Sequence, residues 1–384
     1  MTEASGYLKA LLLNLRTLRE KAGLTASDLE ERLILGPGWI TRFEEGKTVP
    51  NIDMLFAIVH ESGANINDLF DELTESPEAA EIERFIFAEQ SGNNIVINFR
   101  YARFDAEYTL PNSTIDEFEE VIKTLRNGLS RIVIADDSIS QAIKADSVAK
   151  TFLKATSVWP HVNPSDLWWF VIYRAYCDPF NHPAKFARLD LTQSWKRTGG
   201  WALEEIVVRH YGPFLKQHGI NLFIANGETK RTLASQINVD ERIESDKIDV
   251  FLTGDQDNKC PVFFGVVHVK SSIAERRTDD VPMSQALSRA GYTSIFWTMD
   301  CKSTPSKHPA NRGELGKLGD SRSAKRKDIE DEGYFTGCFS YNLNTIPSLS
   351  SLADEQRIYV CDFTNPDDAF SRFILQRWSD FQAV

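Results

Sequence analysis

The chain has 384 residues, of which 42% are hydrophobic and 26% charged, the composition of an ordinary folded protein with room for two or three domains. Its 43 basic residues stand against 55 acidic ones, a formal net charge of -12, which excludes a coat-like nucleic-acid binder held by bulk positive charge. The five cysteines (Cys177, Cys260, Cys301, Cys338, Cys361) show neither Cys-x-x-Cys pairing nor zinc spacing, no secretory leader is legible, and no apolar run approaches roughly 20 residues, so a cytoplasmic protein off the membrane is expected.

In chain order, residues 8–19 read as an amphipathic helix, 25–33 as a second with Thr25 as its N-cap, and 39–45 as a third. Residues 46–50 (Gly-Lys-Thr-Val-Pro) stop the third helix and start a fourth. This order resembles the XRE (Cro/repressor-like) helix-turn-helix family, in which Gly-Lys-x-x-Pro follows the recognition helix. The resemblance implies DNA contacts from Thr41, Arg42 and Lys47. Two positions depart from the family: Ala26 stands where glutamine is usual, and Gly36-Pro-Gly38 replaces the small polar residues that open the recognition helix. Residues 1–72 also hold twelve acids against seven bases, so a protein-interaction or dimerisation role stays beside the DNA-binding one.

Residues 95–101 and 104–110 alternate as strands, and 114–125 form an amphipathic helix with a start at 113–116, together a small ββα unit with no assigned function. Residues 146–176 read as helices, with Trp159, Trp168 and Trp169 as packing residues. The expected domains are 1–75, 76–140 and 141–384.

Two runs rich in β-branched and aromatic residues, 248–253 and 262–270, flank a polar turn and predict a β-hairpin. Side chains alternate along a strand, so His268 and Lys270 share a face, and Asp249, between Ile248 and Val250, joins them on that polar face. A carboxylate and a lysine converging at the end of a hairpin suit a metal-dependent phosphodiesterase, in which the carboxylate holds Mg²⁺ and the lysine positions or polarises the attacking water. The same pair on an arbitrary hairpin is more often a solvated surface feature.

The hairpin resembles the catalytic core of the PD-(D/E)XK nuclease superfamily, in its type II restriction endonuclease branch. The strings 195–205, 248–253 and 270–276 are similar in order and spacing to the BsaWI-type endonucleases, with ApaLI-type enzymes as a second comparison. The resemblance implies an α/β (α+β) nuclease core with a central mixed sheet flanked by helices, beside the all-α N-terminal domain and the ββα unit. It implies Mg²⁺ as cofactor, a short palindromic DNA duplex as substrate, a homodimer matching the two-fold symmetry of that duplex, and a cognate DNA methyltransferase in the same system.

Residue by residue, Asp249 matches the metal-binding aspartate and Lys270 the catalytic lysine. Glu204, in a Gly200-x-x-x-Glu context opening a helix over 202–211, matches the upstream acid; Glu205 points about 100° away and is expected to be solvated. His268 departs from the pattern, since an acid usually stands two residues before the lysine. The missing carboxylate then comes from Glu204, Asp279 or Asp280, and His268 itself is a candidate ligand or an orienting residue. Downstream, the family reads C·G pairs with an Arg-acid-Arg pattern; Ala274 replaces the first arginine, leaving Glu275, Arg276 and Arg277 for base readout. A CCGG core is thereby implied only in part. Residues 302–327 carry eight basic side chains against Glu314 and Asp320, and their Gly, Pro, Ser and Asn content predicts a mobile loop along the phosphate backbone or a plain solubilising one. Two functions compete: a Mg²⁺-dependent restriction endonuclease, and a non-catalytic XRE-class regulator whose nuclease-like body senses or dimerises.

Overall fold

The computed structural model describes residues 6–48, 52–69, 84–101, 104–134, 137–183, 190–237, 247–256, 261–273, 277–302 and 310–383. Their contacts group into two compact units, 1–82 and 83–384.

In the first unit, α1 (Gly6–Lys21), α2 (Ala26–Arg32), α3 (Trp39–Glu44) and α4 (Ile52–Glu61) enclose Leu15, Leu29, Ile40, Phe43 and Ile58. Thr25 caps α2 as its sequence predicts: its hydroxyl accepts from the Asp28 amide at 3.1 Å while Asp28 accepts from the Thr25 amide at 2.8 Å. The start of α3 has no side-chain cap of its own, because Gly38 stands there with φ +74°. Buried Glu30 takes over that task, its carboxylate accepting from the amides of Gly38 at 3.0 Å and Ile40 at 2.8 Å. Those are donors that a helix start otherwise leaves open. A second buried charge, Arg19, pairs with Glu44 at 2.6 Å and ties α1 to α3.

The second unit begins with the antiparallel meander β1 (Ile86–Ser91), β2 (Asn94–Tyr101) and β3 (Phe104–Leu110). Period-two burial of Ile95, Ile97 and Phe99 makes one face of β2 apolar, and it shares a core with α5 (Ile115–Ser130) through Phe118, Val121 and Leu125. The cap of α5 is Thr114 with Glu117, one residue later than the 113–116 start that its sequence predicts. That core runs on into α6 (Asp137–Val158) and the helical run of α7 (Pro164–Asp166), a π-turn segment (Leu167–Ile172) and α8 (Tyr173–Cys177). A Cβ at Gly128 would lie 2.3 Å from the Ser147 hydroxyl oxygen, so the α5–α6 approach depends on glycine. The ββα elements therefore share the core of the elements that follow them, without a packing boundary near residue 140.

Next comes α9 (Leu191–Gln217), which carries the site's first acid. The expected helix start at Gly200 does not exist: Asp190 caps α9, and the helix runs through Gly199, Gly200 and Pro213. A glycine costs about 1 kcal/mol inside a helix, and burial of Trp195, Leu203, Ile206 and Val207 along one stripe outweighs it. The six-stranded sheet has the order β4 (Ile220–Phe223), β5 (Val250–Gly254), β6 (Val262–Lys270), β7 (Thr293–Thr298), β8 (Gly337–Ser340), β9 (Ile358–Val360). The pairs β4–β5 and β5–β6 are antiparallel and the rest parallel, so the sheet is mixed as expected. Three helices accompany it: α10 (Gly227–Gln236), α11 (Arg277–Arg289) and α12 (Ala324–Glu330); α13 (Ala369–Gln382) closes the chain. Gly265 lets β6 and β7 approach, since a Cβ there would meet the Thr293 carbonyl oxygen at 2.5 Å.

Candidate active site

The predicted hairpin is present, with Val250 opposite Val267 and a register shift between Leu252 and Thr253. Asp249, directly before β5, reaches the end of β6, where its Oδ2 accepts from the Val269 amide at 2.8 Å and from Lys270 Nζ at 2.6 Å. Both side chains keep 16% exposure, enough to meet a substrate from outside. From α11, buried Asp280 brings its Oδ2 to 3.6 Å from the same ammonium. One lysine thus stands between two carboxylates.

Glu204 joins them from the middle of α9. Its carboxyl is pushed up to about 8, first by burial and then by the negative charge of Asp249, with Lys230 and Lys270 pulling the other way. Lys230, on α10, donates to the carbonyl of Ile248 at 2.7 Å, immediately before Asp249. No pattern in the sequence marks Lys230, because only the packing of α10 beside β5 brings it there. Asp280 was one of three candidates for the missing acid, and nothing in the sequence prefers it to the adjacent Asp279, whose side chain lies outside the described residues; the packing of α11 puts Asp280 beside Lys270. Glu205 is paired with Arg209 at 2.8 Å, on the solvated side where it was expected.

His268 is not on a polar face. Helices and neighbouring strands cover β6 on both sides, so its ring is fully buried, and burial lowers its basicity. Nε2 lies 3.1 Å from the Ser294 hydroxyl, while Nδ1 lies 3.9 Å from Asp280 Oδ1 and has no hydrogen-bond partner. The ring backs Asp280 and does not open to solvent.

Three carboxylates are a hard-oxygen donor set suited to Mg²⁺, and the orphaned His268 Nδ1 together with the raised Glu204 shows a pocket short of positive charge. Among the described residues no three acid, His or Cys groups converge at metal-ligating geometry. Lys270 accounts for this, since its ammonium fills the space between Asp249 and Asp280. The residue types fit the ion, and bringing them onto one point requires the Lys270 ammonium to turn aside.

Of the predicted base-reading residues, Glu275 and Arg276 lie outside the described residues, and Arg277 is the first residue of α11, its side chain likewise outside. The basic stretch departs from the expected loop. Residues 303–309 are outside the description, but 310–327 fold, and α12 buries Arg326 completely against Glu330 at 2.9 Å and the carbonyl of Ile346 at 2.7 Å. Part of the basic charge is thus consumed by structure. In the N-terminal unit Thr41 and Arg42 are exposed, whereas Lys47 pairs with Glu45 at 2.7 Å. The cysteines among the described residues, Cys177, Cys301, Cys338 and Cys361, are free and buried, and no helix there is long and apolar enough to cross a membrane.

A helix-turn-helix domain family matches residues 10–64. The type II restriction enzyme AgeI of Thalassovita gelatinovora is 39% identical over 237 residues, which is 60% of this chain and 83% of that protein. A crystal structure of a specific AgeI–DNA complex matches with TM-score 0.64 and 33% identity, covering 73% of this chain and 99% of the other. A pre-specific BsaWI–DNA complex matches at 20% identity with TM-score 0.37, over 69% and 94% of the two chains.

Proposed function

This chain belongs to the type II restriction endonucleases, which are site-specific deoxyribonucleases, and on that premise we propose that Asp249, Lys270, Glu204 and Asp280 form its phosphodiester-hydrolysing centre, with Mg²⁺ as cofactor. The observation that carries the assignment is Lys270 suspended between Asp249 and Asp280, beside a Glu204 whose carboxyl is pushed up to about 8. An ion-pair cluster built only for stability gains nothing from a third, crowded acid.

When bound, a divalent cation supplies a more acidic water and neutralises charge gathering on the phosphate. Asp249, Glu204 and Asp280 would hold it. His268 lies behind Asp280, 3.9 Å from its Oδ1, and would be a ligand only if its ring were uncovered. Lys270, released from Asp249, directs its ammonium to the attacking water or to a phosphate oxygen. Hydrolysis then adds water across one phosphorus–oxygen ester bond in each strand. Lys230 steadies the backbone before Asp249 through the Ile248 carbonyl.

Specificity in this proposal comes from Glu275, Arg276 and Arg277, which directly follow the catalytic strand and have the donors and acceptors for one C·G pair. A palindromic duplex calls for a homodimer, and a cell carrying such an enzyme needs a methyltransferase of the same specificity. The AgeI relative crystallised on DNA supports DNA as partner. For the helix-turn-helix unit, Thr41 and Arg42 are the proposed DNA contacts, with Lys47 joining once it leaves Glu45.

Plasmid digestion with and without Mg²⁺, run beside Asp249→Ala and Lys270→Ala, tests the centre. We expect cleavage only by the parent enzyme with metal, and a loss of at least ~10³-fold in either variant, about 4 kcal/mol of barrier. Sequence-specific binding without cleavage in any divalent metal would leave the regulator reading in its place.

A further inference from the structure

The residues just after Lys270 leave β6 beside the centre, and among the described residues a carboxylate outside the centre grips them. Lys270 and Ser271 continue the ladder with β7: the Met299 amide donates to the Lys270 carbonyl at 3.2 Å and the Cys301 amide to the Ser271 carbonyl at 3.0 Å. Beyond Ser271 the strand has ended, and the next two donors turn elsewhere. The Ser272 hydroxyl donates to Glu314 Oε2 at 2.8 Å and the Ile273 amide to the same oxygen at 2.6 Å. Ile273 is 9% exposed in an apolar cluster with Phe296, Leu315 and Ile329, so its amide would otherwise be buried without a partner. The other oxygen, Oε1, meets Lys325 Nζ of α12 at 2.5 Å, and the Glu314 side chain is only 7% exposed.

Glu314 is itself fixed. Its amide, and that of Leu315 at 3.3 Å, donate to Asp300 Oδ1, and Thr345 donates to Asp300 Oδ2 at 2.7 Å. Asp300 directly follows the loop out of β7, the strand whose Thr298 lies opposite Lys270. The same strand therefore supports Lys270 on one side and, through Asp300, the carboxylate that grips the residues after it. A cavity of about 20 Å³ beside this grip is lined by Lys270, Ile273, Asp280 and Lys325, so grip and catalytic groups meet one small space.

We propose that Glu314 is a positioning residue for catalysis: by clamping Ser272 and Ile273 it fixes the end of β6 that presents Lys270 to Asp280. The inference rests on the assignment of those two residues to the centre. A charged acceptor of three donors loses most when it becomes neutral but stays the same size. Glu314→Gln keeps the volume, leaves one oxygen for three donors, and lets the connection drift.

The test is single-turnover cleavage with Mg²⁺ of a duplex bearing the site found by sequencing the ends of parent-cut DNA, alongside metal-free binding of that duplex and a thermal melt. Glu314→Gln is expected to lower the cleavage rate constant at least ~10-fold, with duplex affinity close to that of the parent and a melting temperature that falls but stays above the assay temperature. Ser272→Ala removes one donor, leaves the carboxylate paired, and is expected to give a smaller loss in the same direction; it also serves if Glu314→Gln does not fold. Lys270→Ala is run in parallel. If it cleaves like the parent, the centre is wrong and the inference falls with it. If Lys270→Ala is inactive while Glu314→Gln and Ser272→Ala cleave at the parental rate, Glu314 is a structural residue only and the inference alone is overturned. Equal losses in affinity and rate would also overturn it, because a loosened fold moves both.

Discussion

The two units handle buried charge in opposite ways. In the helix-turn-helix unit each is matched: Arg19 meets Glu44 at 2.6 Å, and Glu30 accepts two backbone amides at the start of α3. At the proposed centre of the second unit charges are crowded without balance, with Lys270 shared by Asp249 and Asp280, Glu204 repelled by Asp249, and His268 Nδ1 left without a partner. Matched charges fix a fold, whereas an unbalanced set keeps an affinity for a cation and a phosphate. The contrast separates support from chemistry better than burial alone does.

The sharpest way to break that contrast lies within α11. Asp280→Asn is expected to lower cleavage ~10²-fold, about 2.7 kcal/mol, while Asp279→Asn stays near the parent; single-turnover rates of the two variants compare them. Equal losses would mean that the carboxylate at 3.6 Å from Lys270 is not the special one.

A core truncation probes the other unit. Leu29 is fully buried there, and Leu29→Ala should destabilise it by about 2–5 kcal/mol. Melting followed by Trp39 fluorescence should show this early transition, while cleavage by residues 83–384 stays within about threefold below it. A matching fall in cleavage rate would show that the matched-charge unit takes part in the chemistry.

The smallest expected effect concerns a buried group away from both sites. Burial lowers His210 to about 4 from an ordinary 6.5. Between those values the unfolded chain binds a proton that the folded one refuses, so this residue's contribution to stability rises with pH across the window and is lost as pH falls through it. His210→Phe removes that dependence. The melting-temperature difference between variant and parent should therefore shift in favour of the variant on going from pH 7.5 to 5; a constant difference would show that His210 protonates freely in the fold.

Local signals made much of this legible. Thr25 and Thr114 announce their helices because a cap is a contact three residues long, and β5–β6 announces itself by composition around a short turn. Asp249 and Lys270 were readable for the same reason, being neighbours on one hairpin. Glu204 depended on a resemblance, and its place in the middle of a 27-residue helix was hidden by Gly199-Gly200, whose cost only the stripe packed against the core outweighs. The stretch 302–327 looked mobile because composition shows a basic residue but not its partner; Arg326 is folded by Glu330 and a distant carbonyl.

The sequence by itself determined the helix-turn-helix order, the β5–β6 hairpin and the pairing of an aspartate with a lysine, since each is fixed by spacing along a few residues. Only the tertiary structure decided that Asp280 faces Lys270, that His268 is sealed behind Asp280, and that Lys230 and Glu314 stand beside this site. Those choices depend on helix phase and on which elements pack together, and neither is written in the spacing of any one segment.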